Sequence, residues 1–348
     1  MASRRWVPRF RWRTLFVVII AYLIVNYLVA LPYFVIGPGS TEAVQPLLQV
    51  PPDKAHVPKG RFLLTTVSLK QAHPTDIVVA WLTKGTEIEE KKQTIGDLSK
   101  DEYLKLNDEL MESSKLAAVA AAMNRAGYDA KPAGEGARIR EILPDGPSAG
   151  KLNPGETIIG VNGSPISLAL DLTVQIQKLK PGVMTTLEVA DAQGAKRTET
   201  ITTASRPPDG RTIIGVSITT KNPRLDTPFP VNIKETNIGG PSAGLAFALS
   251  LLDDLTPGEL SGGGQVAVTG TIEPDGTVGP VGGVVQKSYT VNKSRARLFL
   301  VPFEELDQAR KFADKDVKVV GVKTLSDAVN VLGEQGADTS GLPKVAAN

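Results

Sequence analysis

The chain has 348 residues, 41% of them hydrophobic and 22% charged, with 33 Gly and 25 Pro, which is the mix of a folded protein of about two domains and excludes collagen-like and disordered classes. It has no Cys and only two His, His56 and His73, neither in a catalytic or zinc motif, so a thiol nucleophile, a disulfide framework and a His-based triad drop out. The net charge of +2 conceals five arginines before residue 14 and a slightly acidic, aromatic-poor remainder, which excludes the basic stacking surface of a nucleic-acid binder.

Residues 1–14 read as a basic cytoplasmic tail. The run Leu15 to Ile36 has 22 positions without a formal charge and as a helix would span about 33 Å, enough to cross a bilayer. A single uncleaved transmembrane helix is therefore predicted over 15–36, with Trp6, Trp12, Tyr33 and Phe34 at the interfaces. The positive-inside bias puts everything after residue 37 outside the cell membrane. A cleaved signal peptide would have an apolar run of only about 7–15 residues and a small-x-small site, and Leu31-Pro32-Tyr33-Phe34 supplies none.

Residues 37–126 form an extracytoplasmic strand and helix region. Gly37-Pro38-Gly39 and Pro51-Pro52 punctuate it, and GRFLLTTVSL and DIVVAWL both read as strands. From Ser99 the pattern turns helical, with Leu104, Met111, Ala118 and Ala122 on one face, a Ser99 cap answered by Glu102, and Gly127 as the stop.

Residues 127–206 change character, with ARIREIL, ETIIGVNG and TTLEVAD as short strands and SLALDLTVQIQKLKPG as a helix. The stretch ARIREILPDGPSAGKLNPGETIIGVNGSPI resembles a bacterial PDZ domain. That resemblance implies an extended peptide added as a strand, its carboxylate held by backbone N–H groups of the preceding loop. Carried over, the loop holds Gly134 and Gly136, the edge strand Ile139, and the helix wall Leu172 and Ile176. The same apolar residues read from periodicity alone serve equally well as core.

Residues 211–333 alternate strands (QVAVTGTI, LFLVP, VKVVGV) with helices (AFALSLLDDL, EELDQARKFA, LSDAVNVL), an α/β pattern. The tail 334–348 is Gly-rich and polar and is expected to fray.

Gly240-Pro241-Ser242-Ala243-Gly244 fits the nucleophile elbow G-x-S-x-G, but an α/β-hydrolase needs a later His and none follows His73. Ser242 must use another base. A lysine serves when burial lowers its pKa toward neutrality, and Lys287, behind the apolar and glycine run Pro280-Val281-Gly282-Gly283-Val284-Val285-Gln286, sits in such a setting. The helix opening after Ser242 offers unpaired N–H groups for an oxyanion, with Gly240 and Ala243 as candidate supports.

Taken together, IGGPSAG, VAVTGTI, GPVGGVVQK and LFLVP resemble, in order and spacing, the proteolytic domain of Lon proteases (peptidase family S16). The resemblance implies that Ser242 and Lys287 are a Ser–Lys dyad and that Thr269 supports the lysine. Two positions depart from the family: Gly239 and Thr271 stand where acidic residues are usual. A second Gly-Pro-Ser-Ala-Gly at Gly146–Gly150 is a decoy, because Ser148 lies inside the PDZ-like pattern and is followed by Asn153-Pro154-Gly155 rather than a helix. No G-x-x-x-x-G-K-[ST] loop occurs, so neither ATP nor any other cofactor or metal is expected.

The fold class expected is thus α/β: one N-terminal transmembrane helix, a PDZ-like β-rich domain and a C-terminal Lon-type α/β proteolytic domain, resembling the membrane-anchored PDZ-containing Lon-like proteases of bacteria. The function expected is an ATP-independent, membrane-anchored serine endopeptidase acting on extracytoplasmic proteins or peptides. Its partners would be the lipid bilayer and its peptide substrates, with homo-oligomerisation left open. The rival reading is a non-catalytic membrane scaffold that binds partners through its PDZ unit.

Overall fold

The computed structural model describes residues 12–96, 98–206, 211–235 and 238–343. The uncharged run at the N-terminus is not one helix. Helix α1, Trp12–Leu28, has 17 residues, about 26 Å and short of a hydrocarbon core of about 30 Å. Pro32 then lacks an N–H and biases Leu31 toward extended backbone, and the chain enters strand Tyr33–Ala43. Leu31 N–H donates to the Ala72 carbonyl and Ala72 N–H to the Tyr33 carbonyl, so the second half of the run belongs to a sheet, with Phe34 buried. No helix among the described residues is long and apolar enough to cross a membrane. The expected transmembrane helix over 15–36 is corrected accordingly, and most of the 1–14 tail lies outside the described residues.

The strand region after α1 is not a unit of its own. Its strands Tyr33–Ala43, Arg61–Gln71 and Glu87–Glu90 join Gln265–Val268, Leu298–Pro302 and Lys318–Val322 in one six-stranded sheet. Arg61–Gln71 pairs parallel with Gln265–Val268 on one side and antiparallel with Tyr33–Ala43 on the other. Phe62, Leu63 and Leu64 are all buried, as a strand covered on both faces requires. Phe62 and Leu64 face one core with Val266, Val268 and Leu300; Leu63 faces the other with Ala267, Phe299 and Val301.

DIVVAWL is a helix, not a strand. Helix α2, Pro74–Leu82, starts with proline at its first turn, and Asp76 accepts from the His73 N–H at 2.9 Å. These two start signals outweigh the β propensity of Ile77, Val78 and Val79. A short helix α3, Lys91–Ile95, follows. Helix α4, Lys100–Arg125, carries the cap read from sequence: Ser99 Oγ accepts from Glu102 N–H at 3.2 Å, and Glu102 accepts from Ser99 N–H at 2.8 Å.

The PDZ-like unit is a second sheet, in the order Lys196–Thr202, Met184–Ala190, Thr157–Val161, Ala137–Ile142, Val216–Thr220. Helix α5, Ala169–Gln177, covers its core of Ile139, Ile158, Leu187, Val189 and Ile201 through Leu172 and Ile176. The last strand lies beyond residue 206, so the unit extends into the segment assigned from sequence to the proteolytic domain. An ion pair between Arg140 and Glu109 ties this sheet to α4.

The C-terminal layer holds α6 (Gly244–Leu255), α7 (Val284–Asn292), α8 (Leu306–Phe312) and α9 (Leu325–Glu334). Helix α6 packs with α4 on the Phe62/Leu64 face of the sheet, while α7 and α8 cover the other face through Val284, Val291 and Ala309. The tail is held as far as Pro343: Asp338 exchanges backbone hydrogen bonds with Glu259, and Arg125 donates to the Pro343 carbonyl. The expected fraying is corrected there, and residues 344–348 lie outside the described residues.

Candidate active site

The nucleophile turn is built by small residues under close constraint. Gly240 has φ +89°, in the region that favours glycine, and its N–H donates to the Asn107 carbonyl of α4 at 3.0 Å. Pro241 to Ala243 form a single 3-10 turn that runs directly into α6. Ser114 Oγ, also on α4, donates to the Pro241 carbonyl at 2.9 Å. The Ser242 carbonyl accepts from Gly270 N–H at 3.0 Å, and Leu245 N–H donates to the Gly270 carbonyl at 3.1 Å. The segment 268–270, which leaves the central strand, is thereby laced to the turn.

Lys287 reaches this place from α7. Gly283, at φ +68°, starts that helix, and a Cβ there would stand 2.7 Å from Val67 Cγ1, so only glycine fits. Lys287 is 2% exposed. Its Nζ donates to Thr269 Oγ1 at 3.0 Å, and Thr269 Oγ1 donates to the Ser242 carbonyl at 3.3 Å. Removal from water pushes the lysine pKa down to about 7, against a smaller upward pull from the Glu305 carboxylate.

Ser242, Ala243 and Lys287 line one cleft of about 290 Å³ together with Ser40, Glu42 and Thr65. No hydrogen bond joins Ser242 Oγ to Lys287 Nζ in this state. Of the sequence candidates, Ser242, Lys287 and Thr269 are brought together. Gly240 differs from expectation, since its N–H is already committed to Asn107. Pro241 has no N–H, so the first amide of the turn without an acceptor among the described residues is that of Ser242. At Gly239, where the family carries an acid, a Cβ would come within 3.0 Å of Asn107 Cβ.

Ser148 is elsewhere. It is fully buried and donates to the Ile214 carbonyl at 2.6 Å, a structural bond inside the PDZ-like unit.

The PDZ candidates separate. The free edge expected at Ile139 is taken by Val216–Thr220, which pairs antiparallel with Ala137–Ile142 and sets Ile218 opposite Ile139; Ile139 is core at 1% exposure. The Gly134–Gly136 loop is spoken for as well, because Glu135 N–H donates to the Lys221 carbonyl and Gly136 N–H to the Ser167 carbonyl. The open edge is the outer side of Val216–Thr220. Between it and α5 lies a groove of about 380 Å³, lined by Leu172 and Ile176 as expected and by Ile213, Gly215, Val216 and Ile218, which sequence reasoning missed. The signal was present in Ile214-Gly215-Val216-Ser217-Ile218, an alternating strand entered through a glycine at φ +76°.

The profile of the Lon protease (S16) C-terminal proteolytic domain family matches residues 232–334. Lon protease 2 of Bacillus subtilis is 31% identical over 93 residues, covering 27% of this chain and 16% of that protein. A probable periplasmic serine endoprotease, DegP-like, of Pseudomonas fulva is 36% identical over 80 residues, covering 23% of this chain and 16% of that protein. The chain thus spans under a fifth of the length of these two relatives. The PDZ domain of an SdrC-like protein from Listeria monocytogenes aligns with 18% identity and a TM-score of 0.23, covering 24% of this chain and 87% of that domain. Residues 232–334 thus match the proteolytic domain of the Lon serine peptidases, a similarity that covers under a third of the chain.

Proposed function

We propose that the chain is an ATP-independent serine endopeptidase in which Ser242 is the nucleophile and Lys287 its base. The observation that carries this reading is a lysine buried to 2% exposure, hydrogen-bonded among the described residues only to Thr269, at the wall of the cleft that Ser242 lines. Thr269 accepts from Nζ while giving its own proton to the Ser242 carbonyl, so the amine is held by one hydrogen bond and keeps its lone pair for the serine hydroxyl. Ser242 Oγ attacks the peptide carbonyl as its proton passes to Nζ, forming a tetrahedral oxyanion beside the Ser242 N–H. Collapse breaks the C–N bond, and the leaving amine takes the proton from Nζ. Water then attacks the acyl ester, giving its proton to Nζ, and the ester oxygen recovers a proton on release of the acid. Hydroxyl and amine close to hydrogen-bonding distance when substrate seats, as apo sites commonly do.

The groove between α5 and the Val216–Thr220 edge suits an extended peptide end. With no phosphate-binding loop in the chain, the substrates that fit are accessible or unfolded polypeptide segments. The test is trapping with a peptidyl phosphonate followed by mapping of the adduct. Modification of Ser242, lost in Lys287→Ala, is the result expected. Modification of Ser148, or peptide cleavage undiminished in Ser242→Ala, would leave the scaffold reading in its place.

A further inference from the structure

Helix α4 contributes nothing to the lining of the Ser242 cleft, yet it grips two of the three peptide units between Gly239 and the nucleophile. The Asn107 carbonyl takes the Gly240 N–H, and Ser114 Oγ gives a hydrogen bond to the Pro241 carbonyl at 2.9 Å. The second contact matters for chemistry because a peptide unit is planar and trans. The Pro241 C=O and the Ser242 N–H are opposite ends of one plate, so drawing the carbonyl toward α4 turns the N–H away from it.

The serine is set apart from its neighbour. Ser113 back-bonds to the Glu109 carbonyl of its own helix at 3.0 Å, the usual resort of a helical serine. Ser114, buried at 5% exposure, bonds to the nucleophile turn instead. Its position is tight: a Cβ on Gly244 would stand 2.7 Å from Ser114 Oγ, so α4 and the first residue of α6 are in direct contact there. With Gly240 N–H engaged and Pro241 lacking one, the Ser242 N–H is the donor that this plate can aim.

We propose that Ser114 is a positioning residue that holds the Ser242 N–H as the oxyanion donor of the site. The role rests on the peptidase reading above but adds to it a residue outside the cleft, acting through one peptide plane. Loss of a direct oxyanion donor costs about 10²–10³ in kcat; a donor left in place but no longer fixed should lose less, about 10–100-fold.

The experiment measures kcat and KM on a fluorogenic peptide, together with inhibition by a peptide aldehyde, for wild type, Ser114→Ala, Ser114→Cys and Ser113→Ala. Substrate affinity is measured in parallel on Ser242→Ala and on the Ser242→Ala/Ser114→Ala double variant. Expected in Ser114→Ala are a 10–100-fold fall in kcat, a matching loss of aldehyde affinity, unchanged peptide affinity on the inert background, and an unchanged pH midpoint. Ser114→Cys, of similar volume and a weaker donor, should fall between, and it answers the question if the alanine variant does not fold. Ser113→Ala should behave as wild type. Wild-type kcat in both Ser114 variants, or a loss confined to KM or shared by Ser113→Ala, overturns the role. The two failures are separable: inert Ser242→Ala and Lys287→Ala beside an unaffected Ser114→Ala removes the positioning role alone, whereas a fully active Ser242→Ala removes the peptidase reading.

Discussion

The lysine at about 7 makes a quantitative demand on the pH profile. At that value about one molecule in eleven carries a neutral amine at pH 6, half at pH 7 and about ten in eleven at pH 8. An ordinary lysine would be neutral in only about one molecule in three thousand at pH 7. If Lys287 must accept the Ser242 proton, kcat/KM rises about tenfold per unit below the midpoint and levels off above pH 8. The assay is kcat/KM for a quenched fluorogenic peptide from pH 5 to pH 10 at constant ionic strength, which reports the free enzyme. Glu305 supplies a second perturbation. Its carboxylate favours the ammonium form, while its Oε1 accepts from Val281 N–H at 3.2 Å. Glu305→Gln keeps an acceptor for Val281 and removes the charge, so the midpoint should move to lower pH. A flat profile refutes a lysine base. A rise that continues tenfold per unit to pH 10 without a plateau refutes the argument that burial sets the pKa, and a midpoint displaced upward in Glu305→Gln refutes the sign of the interaction.

The remaining expectations concern stability and the groove. Between about pH 7 and the ordinary 10.5, the unfolded chain binds more protons at position 287 than the folded one, so wild-type stability rises with pH across that window. Lys287→Met should therefore be more stable than wild type near pH 7, by roughly 3–5 kcal/mol, the gain shrinking toward pH 10 in thermal melts. Asp254 shows the opposite slope: burial, with the adjacent Asp253 charge, pushes its carboxyl up to about 7, so stability falls as pH rises from about 4 through 7. Asp254→Asn should raise Tm at pH 8 and leave it unchanged at pH 4; a gain at both pH values rejects the titration account. Ile139→Ala, a core truncation, should lose about 2–5 kcal/mol in denaturant melts, whereas Ile213→Glu in the groove wall should abolish binding of a C-terminal peptide by anisotropy with little change in melting. The reverse pattern would restore the edge-strand assignment of Ile139.

Legibility followed the range of the cause. The α4 cap, the α/β alternation after residue 244 and the Lys287 environment were readable because each is decided within a few residues: Ser99 and Glu102 satisfy one another, and the apolar and glycine run before Lys287 foretells burial. The division of the N-terminal run was not readable from hydropathy, because Tyr33–Ile36 is apolar in either setting and only pairing with Arg61–Gln71 and Glu87–Glu90 makes it strand. Nor could periodicity place the open edge of the PDZ-like sheet, since Val216–Thr220 returns to Ala137–Ile142 from about 75 residues away.

The two Gly-Pro-Ser-Ala-Gly segments sharpen the point. At residues 146–150 and 240–244 the letters are identical, and both serines stand in tight turns at the start of a helical stretch or a loop. What differs is the partner of each polar group. Ser148 gives its hydroxyl proton to the Ile214 carbonyl and is sealed from solvent, so its oxygen has no approach for a substrate. Ser242 has its carbonyl held by Thr269 and Gly270 and the carbonyl before it held by Ser114, which leaves its hydroxyl and its amide as the groups without a partner among the described residues. A nucleophile is thus recognised by what its neighbours have already bound. Ser148→Ala should then lower stability by about 1–2 kcal/mol for the lost buried hydrogen bond and leave peptide cleavage per folded molecule unchanged, while Ser242→Ala should abolish cleavage and leave the melting curve where it was. Melting and single-turnover cleavage on the same preparations decide it, and a cleavage defect in folded Ser148→Ala would undo the distinction.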